Sequence, residues 1–397
     1  MGPAESKLRL RTVPVSARGA SRLRSGHFWV YRSDVLSPDG IGPGELVAIA
    51  DPRGKFLGTG LYSSSSQIAL RLFSTELIED FAQILRERIS EAIRYREKIV
   101  KDTDTYRVVF SEADLLPGII VDRYNDMIAL QVLTQAMDSE PVRQTLVPEL
   151  LSRLQPASIV ERTEARVREL EQLAPREAAL IFGEKNSTEF SMNGVRFHYS
   201  ALAGQKTGAF LDQRENYRAA REYAHGEALD VFCYQGGFAL HLAQTCSHVT
   251  GIDSSRPALE VADQNATLNR QEIEWLEGNA FDVLKDYATA GRQYDTIVLD
   301  PPAFAKSKKN LDTALRGYKE LNLRALKMLR PGGILVTCSC SYHVSQADFL
   351  QMIADAGNDA RRHIRILEVR GQAKDHPIVP AIPETSYLKA IFAHVSG

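Results

Sequence analysis

Short apolar segments separated by clusters of glycine, proline and serine dominate the first 75 residues. Five such segments lie at residues 13–15, 28–31, 46–49, 56–62 and 68–72. Apolar runs of this length, bounded by turn-forming residues, predict β-strands. Their close spacing favours a small β-barrel over residues 1–75.

The pattern changes to a helical one at about residue 76. From there to about residue 100, Leu77, Phe81, Leu85 and Ile89 recur on one face of an amphipathic helix. Beyond it, the sequence predicts strands at 106–110, 119–121, 128–132 and 159–161, a helix at 141–154 and a hairpin at 190–199. The hairpin is centred on Asn193-Gly194, a typical type I′ turn pair. Residues 76–199 are therefore expected to form a central α+β domain.

After residue 200, apolar strands alternate with amphipathic helices. Strands are predicted at 228–232, 248–252, 296–299 and 334–337, and helices at 256–269 and 313–329. Pro331-Gly332-Gly333 is expected to form a turn into the last of these strands. Such alternation is typical of a parallel α/β sheet. The predicted fold class is thus α/β, with a Rossmann-like domain at 200–397 that follows the small barrel and the central domain.

Bulk composition narrows the class of protein. The chain has 397 residues, of which 44% are hydrophobic and 25% charged, as in soluble proteins of two or three domains. No apolar run approaches the roughly 18 residues that span a bilayer, and the N-terminus lacks the apolar core of a secretory signal. The four cysteines form neither a disulfide framework nor a zinc cluster. We expect a cytoplasmic protein without a membrane segment or a bound metal.

Charge is distributed unevenly despite a net charge of only -2. Within the first 32 residues, a single acid, Glu5, stands against Lys7, Arg9, Arg11, Arg18, Arg22, Arg24 and Arg32. A local positive field of this kind favours a polyanion such as RNA. Arg22 and Arg24 are the candidate RNA contacts, and the alternative is a solvated basic tail.

A nucleoside-binding site is indicated by the first strand of the α/β domain. The strand runs into a tight turn that contains Phe232, Tyr234 and Gly236, and Asp253 ends the next strand, where its carboxylate can bind ribose hydroxyls. The turn lacks the G-x-G-x-x-G pattern that binds a pyrophosphate, which favours S-adenosylmethionine over NAD. Asp282, after the following strand, is placed to bind the adenine amino group. The alternative for Asp282 is an exposed residue at a helix start.

Asp300-Pro301-Pro302-Ala303-Phe304 directly follows a third apolar strand. The prolines restrict the backbone beside the position of the transferable methyl group. In nucleic-acid methyltransferases such a loop holds a target base that has left its stack. Asp300, Pro301, Pro302 and Phe304 are therefore candidates for binding cofactor or base, with a purely structural loop as the alternative.

Two cysteines, Cys338 and Cys340, are two residues apart on the fourth strand and so lie on one face of it. Cys340 is closer to the carboxyl end, where ligands bind. A thiolate that attacks C6 of cytosine makes C5 nucleophilic enough to accept a methyl group. Cys340 and Asp300 are the predicted catalytic residues. The alternative is a pair of buried, inert cysteines.

The chain resembles the RlmI family of bacterial 23S ribosomal RNA cytosine-C5 methyltransferases over nearly its whole length. The matching motifs are RSGHFWVY at 24–31, DLLPGIIVDRY at 114–124, QKTGAFLDQR at 205–214, YQGGF at 234–238, LDPPAF at 299–304, SCS at 339–341, DHP at 375–377 and YLK at 387–389. The resemblance implies an N-terminal PUA domain, a methyltransferase domain and often a homodimer. It also implies that Cys340 is the nucleophile and that Phe210, Asp212, Gln213 and Arg214 help to enclose S-adenosylmethionine.

The sequence departs from the family pattern at two places: Ala303 stands where members commonly have lysine, and Gln235 where they have threonine. Two other functions remain open. The protein could methylate a guanine or adenine nitrogen in ribosomal RNA without a thiol, or it could be an inactive RNA-binding assembly factor. Intact Gly236, Asp253, Asp282 and Asp300 argue against the inactive factor. The predicted partner is 23S ribosomal RNA, and the predicted cofactor is S-adenosylmethionine.

Overall fold

Five strands and one helix follow one another in the N-terminal part of the computed structural model, which describes residues 10–202, 208–305 and 307–397. They are β1 Arg11–Pro14, α1 Ala17–Arg24, β2 Trp29–Tyr31, β3 Leu46–Ala50, β4 Phe56–Tyr62 and β5 Ile68–Ser74. The strands form one sheet in the order β1-β3-β4-β5-β2, in which only the β1/β3 pair is parallel. All five predicted strands are confirmed.

Helix α1 was not predicted, because its sequence is short and basic. Ser16 caps it by accepting a hydrogen bond from the Gly19 backbone N–H, and Ala20 and Leu23 are its buried apolar side chains. The basic stretch around Arg22 and Arg24 is therefore part of a folded helix and is not a flexible tail.

The central segment contributes eight elements. They are α2 Phe81–Ile99, β6 Thr105–Phe110, β7 Ile119–Tyr124, β8 Met127–Val132, α3 Glu140–Leu154, β9 Ser158–Glu161, α4 Ala165–Leu170 and β10 Ala179–Phe182. The sheet order is β10-β9-β8-β7-β6, with only β8/β9 parallel. The apolar face of α2 packs in one core with this sheet, and that core also contains Leu61 and Phe73 of the N-terminal segment. Both segments, together with 199–208 and 375–385, belong to one compact unit.

A hairpin follows, made of β11 Ser187–Met192 and β12 Val195–Ser200. Both residues of its turn, Asn193 at φ 52° and Gly194 at φ 83°, have left-handed backbone conformations. This geometry confirms the predicted type I′ turn.

A second compact unit comprises residues 189–198, 209–374 and 386–397. After the hairpin, its elements are α5 Arg214–Tyr223, β13 Glu227–Val231, α6 Gly237–Leu242, β14 His248–Asp253, α7 Arg256–Asn269, β15 Glu274–Glu277, α8 Ala280–Thr289, β16 Tyr294–Leu299, α9 Leu311–Met328, β17 Leu329–Ser339, α10 Gln346–Ala360, β18 His363–Arg370 and β19 Lys389–Ser396. None of the helices in the described part of the chain is long and apolar enough to cross a membrane.

The seven strands form one sheet in the order β15-β14-β13-β16-β17-β19-β18. The neighbours from β15 to β17 are parallel, as the alternation predicted, whereas β19 is antiparallel to both β17 and β18. The carboxyl ends of β13, β14, β16 and β17 therefore share one edge, where ligands bind in open α/β sheets.

The Pro331-Gly332-Gly333 segment differs from its predicted role. It is not a separate turn before a strand, because β17 already begins at Leu329. Tyr294 pairs with Leu329 and Thr296 pairs with Ile334, so the three residues lie in a bulge within β17. Gly332, at φ 87°, supplies the left-handed conformation that the bulge requires.

Candidate active site

The loop between β13 and α6 has an unusual backbone. Phe232, Tyr234 and Gly236 all have positive φ angles, of 68°, 49° and 84°. Two of these residues are not glycine, and such strain clusters at functional sites. The N–H groups of Phe232 and Cys233 both donate to the Ile252 carbonyl, at 2.8 and 3.0 Å, which holds the loop against the end of β14.

At two positions of this loop there is no room for a side chain larger than that of glycine. A Cβ atom on Gly237 would lie 2.5 Å from the Tyr217 ring, and one on Gly236 would lie 3.0 Å from Trp275. The two glycines therefore let the loop pack closely against α5 and β15. Tyr217 is buried, and sequence reasoning did not identify it.

Asp253 ends β14, as predicted from the sequence, and its carboxylate is fixed by two backbone groups. Oδ2 accepts a hydrogen bond from the Tyr234 N–H at 2.9 Å, and Oδ1 accepts one from the Ser255 N–H at 2.8 Å. Each carboxylate oxygen can accept a second hydrogen bond. The group is thus oriented and can still bind a pair of hydroxyls.

Asp230, on β13, is a candidate that sequence reasoning missed. It is fully buried; Oδ2 accepts from the Ala239 N–H at 2.8 Å, and Oδ1 has no hydrogen-bond partner among the described residues. Burial raises the pKa of this carboxyl to about 8, with further contributions from the charges of Asp300 and Asp253. Three carboxyl groups therefore interact at the ends of β13, β14 and β16, an environment that favours a cationic ligand.

Asp282 lies in the first turn of α8 and is exposed. The cap of that helix is Asn279, whose side chain accepts a hydrogen bond from the Phe281 N–H at 2.9 Å. Asp282 is therefore available to a ligand and is not needed as the cap. Its contact with adenine stays a prediction.

The segment before α5 places one predicted cofactor residue, Phe210, against the loop and another, Asp212, against Tyr387. The Phe210 ring contacts the Tyr234 ring edge-on, with 5.1 Å between centroids. Asp212 accepts a hydrogen bond from the Tyr387 hydroxyl at 2.8 Å. Gln205, Lys206 and Thr207, which begin the same motif, lie outside the described residues.

Gln213 and Arg214, by contrast, are almost fully buried. The Gln213 side-chain Oε1 accepts from the Asn216 side chain at 2.7 Å, and the same Gln213 side chain forms a hydrogen bond with the Cys338 thiol. Arg214 lies 3.8 Å from Glu215. Gln213 therefore links α5 to β17, and direct contact of Gln213 and Arg214 with the cofactor stays a prediction.

The Asp-Pro-Pro loop follows β16 as predicted. The Asp300 N–H donates to the Val231 carbonyl at 3.2 Å; Pro301 is buried and Pro302 is exposed. Phe304 is half-buried, with its ring centroid 4.7 Å from that of Tyr318 and 6.1 Å from that of Phe281. Phe304 therefore anchors the loop, which leaves Pro302 as its exposed predicted base contact.

The two cysteines of β17 have different surroundings. Cys338 is fully buried, and burial raises the pKa of its thiol well above the ordinary value. Cys340, just beyond the end of β17, is half-buried, and its Sγ lies 4.0 Å from the Pro301 carbonyl oxygen. The thiol nearer the strand end thus faces the Asp-Pro-Pro loop, whereas Cys338 is sealed in the interior.

The arginines predicted to bind RNA are held in ion pairs. Arg22 donates to Asp34 at 2.9 Å and lies over the Tyr31 ring, and Arg24 donates to Asp51 at 2.5 Å. Arg24 is half-exposed, so its guanidinium could still contact a phosphate. Lys7 and Arg9 lie outside the described residues. RNA binding by Arg22 and Arg24 stays a prediction.

Two family models match the chain. Residues 13–75 match a PUA-like domain, and residues 151–393 match an S-adenosylmethionine-dependent methyltransferase. Ribosomal RNA large subunit methyltransferase I of Tolumonas auensis is 39% identical over 377 residues, which cover 92% of this chain and 94% of the relative. The protein of the same name from Shewanella denitrificans is 35% identical over 98% of this chain and 99% of the relative.

The chain belongs to the ribosomal RNA large subunit methyltransferase I family. The solved structure of a putative SAM-dependent methyltransferase from Streptococcus mutans has the same fold as this chain. It has a TM-score of 0.82 at 18% identity and covers 97% of this chain and 100% of that one. The predicted fold class, the PUA-like domain and the cofactor S-adenosylmethionine are confirmed.

S-adenosylmethionine also fits the site of this methyltransferase I family member. It is a sulfonium cation with a ribose and no phosphate. The buried Asp230 Oδ1 without a described partner, the left-handed loop conformation at Phe232, Tyr234 and Gly236, and the oriented carboxylate of Asp253 suit those groups. The spacing of the early strands predicted a small barrel, and the family resemblance implied the PUA domain. Asp230 gave no separate signal because it lies inside an apolar strand.

Proposed function

We propose that the protein transfers a methyl group from S-adenosylmethionine to C5 of a cytosine in 23S ribosomal RNA through a covalent Cys340–C6 adduct. The observation that supports this most directly is the position of Cys340, half-exposed and 4.0 Å from the Pro301 carbonyl of the loop expected to hold the base. The curated relatives are named as methyltransferases of large-subunit ribosomal RNA, which supports the choice of substrate.

Cys340 carries the covalent steps at the base. The Cys340 thiolate forms a bond with C6, and the electron pair of the C5–C6 double bond moves so that C5 becomes an enamine carbon. After C5 has gained the methyl group, the C5 proton passes to solvent water, and the electron pair of the broken C5–H bond re-forms the double bond and expels the thiolate. Cys340 therefore ends the cycle unchanged. Asp300 and Pro302 hold the base beside the thiol in this proposal.

Binding of the cofactor is assigned to the edge formed by β13, β14 and β16. Asp253 would bind the ribose, Gly236 would allow close backbone approach, and Asp282 would bind the adenine. Phe210 and Tyr234 would cover the bound molecule, with Asp212, Gln213, Arg214 and Phe232 shaping the same wall. S-adenosylmethionine supplies an electrophilic methyl group at this position.

The remaining assignments concern the RNA and the assembly. We assign RNA docking to residues 1–75, a connecting α+β domain to 76–199 and catalysis to 200–397. Arg22 and Arg24 would contact phosphates with the exposed parts of their guanidinium groups. A homodimer and a cytoplasmic location stay predictions.

Nucleoside analysis by mass spectrometry tests the proposed product. Purified protein, 23S ribosomal RNA and S-adenosylmethionine with a labelled methyl group are incubated, and the RNA is digested to nucleosides. The expected label is in 5-methylcytidine. Label in an N-methylated guanosine or adenosine would contradict cytosine-C5 methylation and support methylation of a base nitrogen. An absence of label, combined with no heat of cofactor binding in calorimetry, would favour the inactive assembly factor.

A further inference from the structure

Lys389, the first residue of β19, is a buried lysine that the steps above do not use. It is 7% exposed and lies opposite Ser339 in the β17/β19 pair. Lysine is almost never buried without a partner, because removing an ammonium group from water is costly. The contacts of this side chain therefore require an explanation.

The ammonium group of Lys389 holds the turn that follows Cys340. Nζ donates to the Ser341 carbonyl at 2.7 Å and to the Val344 carbonyl at 2.8 Å. The Val344 N–H also donates to the Ser341 carbonyl at 3.1 Å, which closes the same turn. Lys389 thus fixes the backbone one residue beyond the thiol.

Hydroxyl groups fix the other side of the same segment. The Tyr318 hydroxyl is 3.0 Å from both the Ser339 and the Ser341 hydroxyl oxygens, and all three side chains are buried. The Ser341 hydroxyl also accepts from the Ala305 N–H at 3.1 Å, which joins this segment to the Asp-Pro-Pro loop. The backbone on both sides of Cys340 is therefore held in place.

Charge distinguishes Lys389 from the other groups around the thiol. Burial raises the pKa of the Cys338 thiol well above its usual value and also raises that of the Tyr318 hydroxyl, so both stay neutral near pH 7. Burial lowers the pKa of Lys389 to about 8, and the charge of Cys340 opposes that shift. Below pH 8 the ammonium form therefore predominates beside Cys340.

Two charged groups described on the neighbouring elements do not supply a free positive charge. On β18, next to β19, Arg370 donates to Glu368 at 2.7 Å. After β16, Asp300 is an acid and interacts with Cys338. His343, in the turn itself, is another titratable side chain to consider, and its Nδ1 has no hydrogen-bond partner among the described residues. An adjacent cation lowers a thiol's pKa and so favours the nucleophilic thiolate.

We propose that Lys389 is a positioning residue for Cys340: its ammonium group, anchored on the Ser341 and Val344 carbonyls, fixes the thiol's backbone and favours the thiolate by its positive charge. The thiol proton passes to solvent water, and Lys389 keeps its own proton throughout. The catalytic meaning of this role rests on the proposed covalent function. The effect on the thiol itself does not, and it can be measured without RNA.

Alkylation of Cys340 by iodoacetamide across a pH range tests the proposal. Protein that carries Cys338→Ser is alkylated, and the peptide containing Cys340 is quantified by mass spectrometry. Lys389→Gln keeps hydrogen-bond donors and removes the charge. We expect it to raise the midpoint of the pH profile by about one unit, which makes alkylation about tenfold slower at pH 7. Lys319→Met removes an exposed lysine of α9 and should leave the midpoint unchanged.

Three results would overturn the proposal. A purely structural role for Lys389 would slow alkylation at every pH without moving the midpoint. A midpoint that moves in His343→Asn but not in Lys389→Gln would assign the effect to His343. If Lys389→Gln fails to fold, the pH profile of the native protein is compared with that of the same protein unfolded in urea. A midpoint for Cys340 in the native protein that is not lower than its midpoint in urea would overturn the proposal. An active Cys340→Ser enzyme would show that the proposed covalent mechanism is wrong. That result is independent of the alkylation profile.

Discussion

Two groups of buried carboxyl groups in this protein differ in their hydrogen-bond partners and in the direction in which their pKa values are shifted. In the first compact unit, Asp138 accepts from Arg143, Arg168 and Arg176, and Glu161 accepts from Arg143 and Arg176. Although burial alone would raise the pKa of Asp138, hydrogen bonds and charge from Arg143, with Arg168 and Arg176, lower it below the ordinary value. The two carboxylates of this cluster are therefore paired without a ligand, although Arg168 Nη1 has no hydrogen-bond partner among the described residues.

At the carboxyl edge of the seven-stranded sheet, the opposite holds. Asp230 has one oxygen without a described partner, and burial raises its pKa to about 8. Phe232 and Tyr234 beside it have strained backbones. We infer that the paired carboxylates of the first unit stabilise the fold, whereas the unpartnered oxygen of Asp230 serves a ligand. Substitutions at the two places should therefore damage different properties.

Cys340→Ser should produce the largest effect, because it removes the proposed nucleophile. We expect turnover to fall by at least about 1,000-fold, while S-adenosylmethionine binding and thermal stability stay close to those of the native protein. Single-turnover assays and calorimetry measure both. Cys338→Ser is the matched control, and it should retain most activity. Undiminished turnover in Cys340→Ser would remove the covalent mechanism.

Asp138→Asn tests the opposite side of the comparison. It leaves three arginines around a neutral side chain, so the free energy of unfolding of the first unit should fall by about 3 kcal/mol. Cofactor affinity should not change. Urea denaturation and calorimetry provide the two readouts, and Asp126→Asn, which breaks a more exposed ion pair with Lys185, is the control. A stable Asp138→Asn protein with weakened cofactor binding would reverse our assignment of the two regions.

Asp253→Asn should weaken the binding of S-adenosylmethionine by about 20-fold, or about 2 kcal/mol, because an amide cannot accept the ribose hydroxyl hydrogen bonds equally well. Isothermal titration calorimetry measures the dissociation constant. Asp263→Asn, at an exposed position of α7, is the control. Equal affinities of these two variants would exclude Asp253 from the cofactor site.

Asp230→Asn should change how stability depends on pH. The folded protein holds a proton on Asp230 up to about pH 8, whereas the unfolded chain releases it near pH 3.8. This contribution to the free energy of unfolding is complete below pH 3.8 and is lost as the pH rises towards 8, by up to about 1.4 kcal/mol per pH unit. The asparagine variant lacks this loss. The thermal stability of the variant relative to that of the native protein should therefore increase between pH 5 and pH 8. A constant difference across that range would contradict the buried, protonated carboxyl.

Much of this fold could be predicted from periodicity and turn residues. The early strands, the helix at Arg256–Asn269 and the Asn193-Gly194 turn follow from local patterns that tertiary packing does not override. The reversed strand β19 and the bulge at Gly332 were not predicted, since both depend on pairing with strands distant in sequence. Local sequence does not contain that information.

Only those site residues that lie in recognisable motifs could be predicted from the sequence. Asp253, Asp300 and Cys340 each follow a recognisable strand, and the structure places them at one edge of the sheet. Asp230 and Lys389 instead lie within strands, where a charged residue gives no hint of its partner. Arg22 and Arg24 show the converse limit, because a run of basic residues does not reveal the acids, Asp34 and Asp51, that pair with them.

The place of β19 in the sheet has a consequence for biosynthesis. This strand follows every other strand of the sheet in sequence, yet it lies between β17 and β18. Until the ribosome has released it, the edges of β17 and β18 have no partner, and Lys389 cannot reach the turn beside Cys340. Since chains fold from the N-terminus during synthesis, the PUA-like domain can form first. A nascent chain would then hold its methylation chemistry switched off until translation of the sheet is complete.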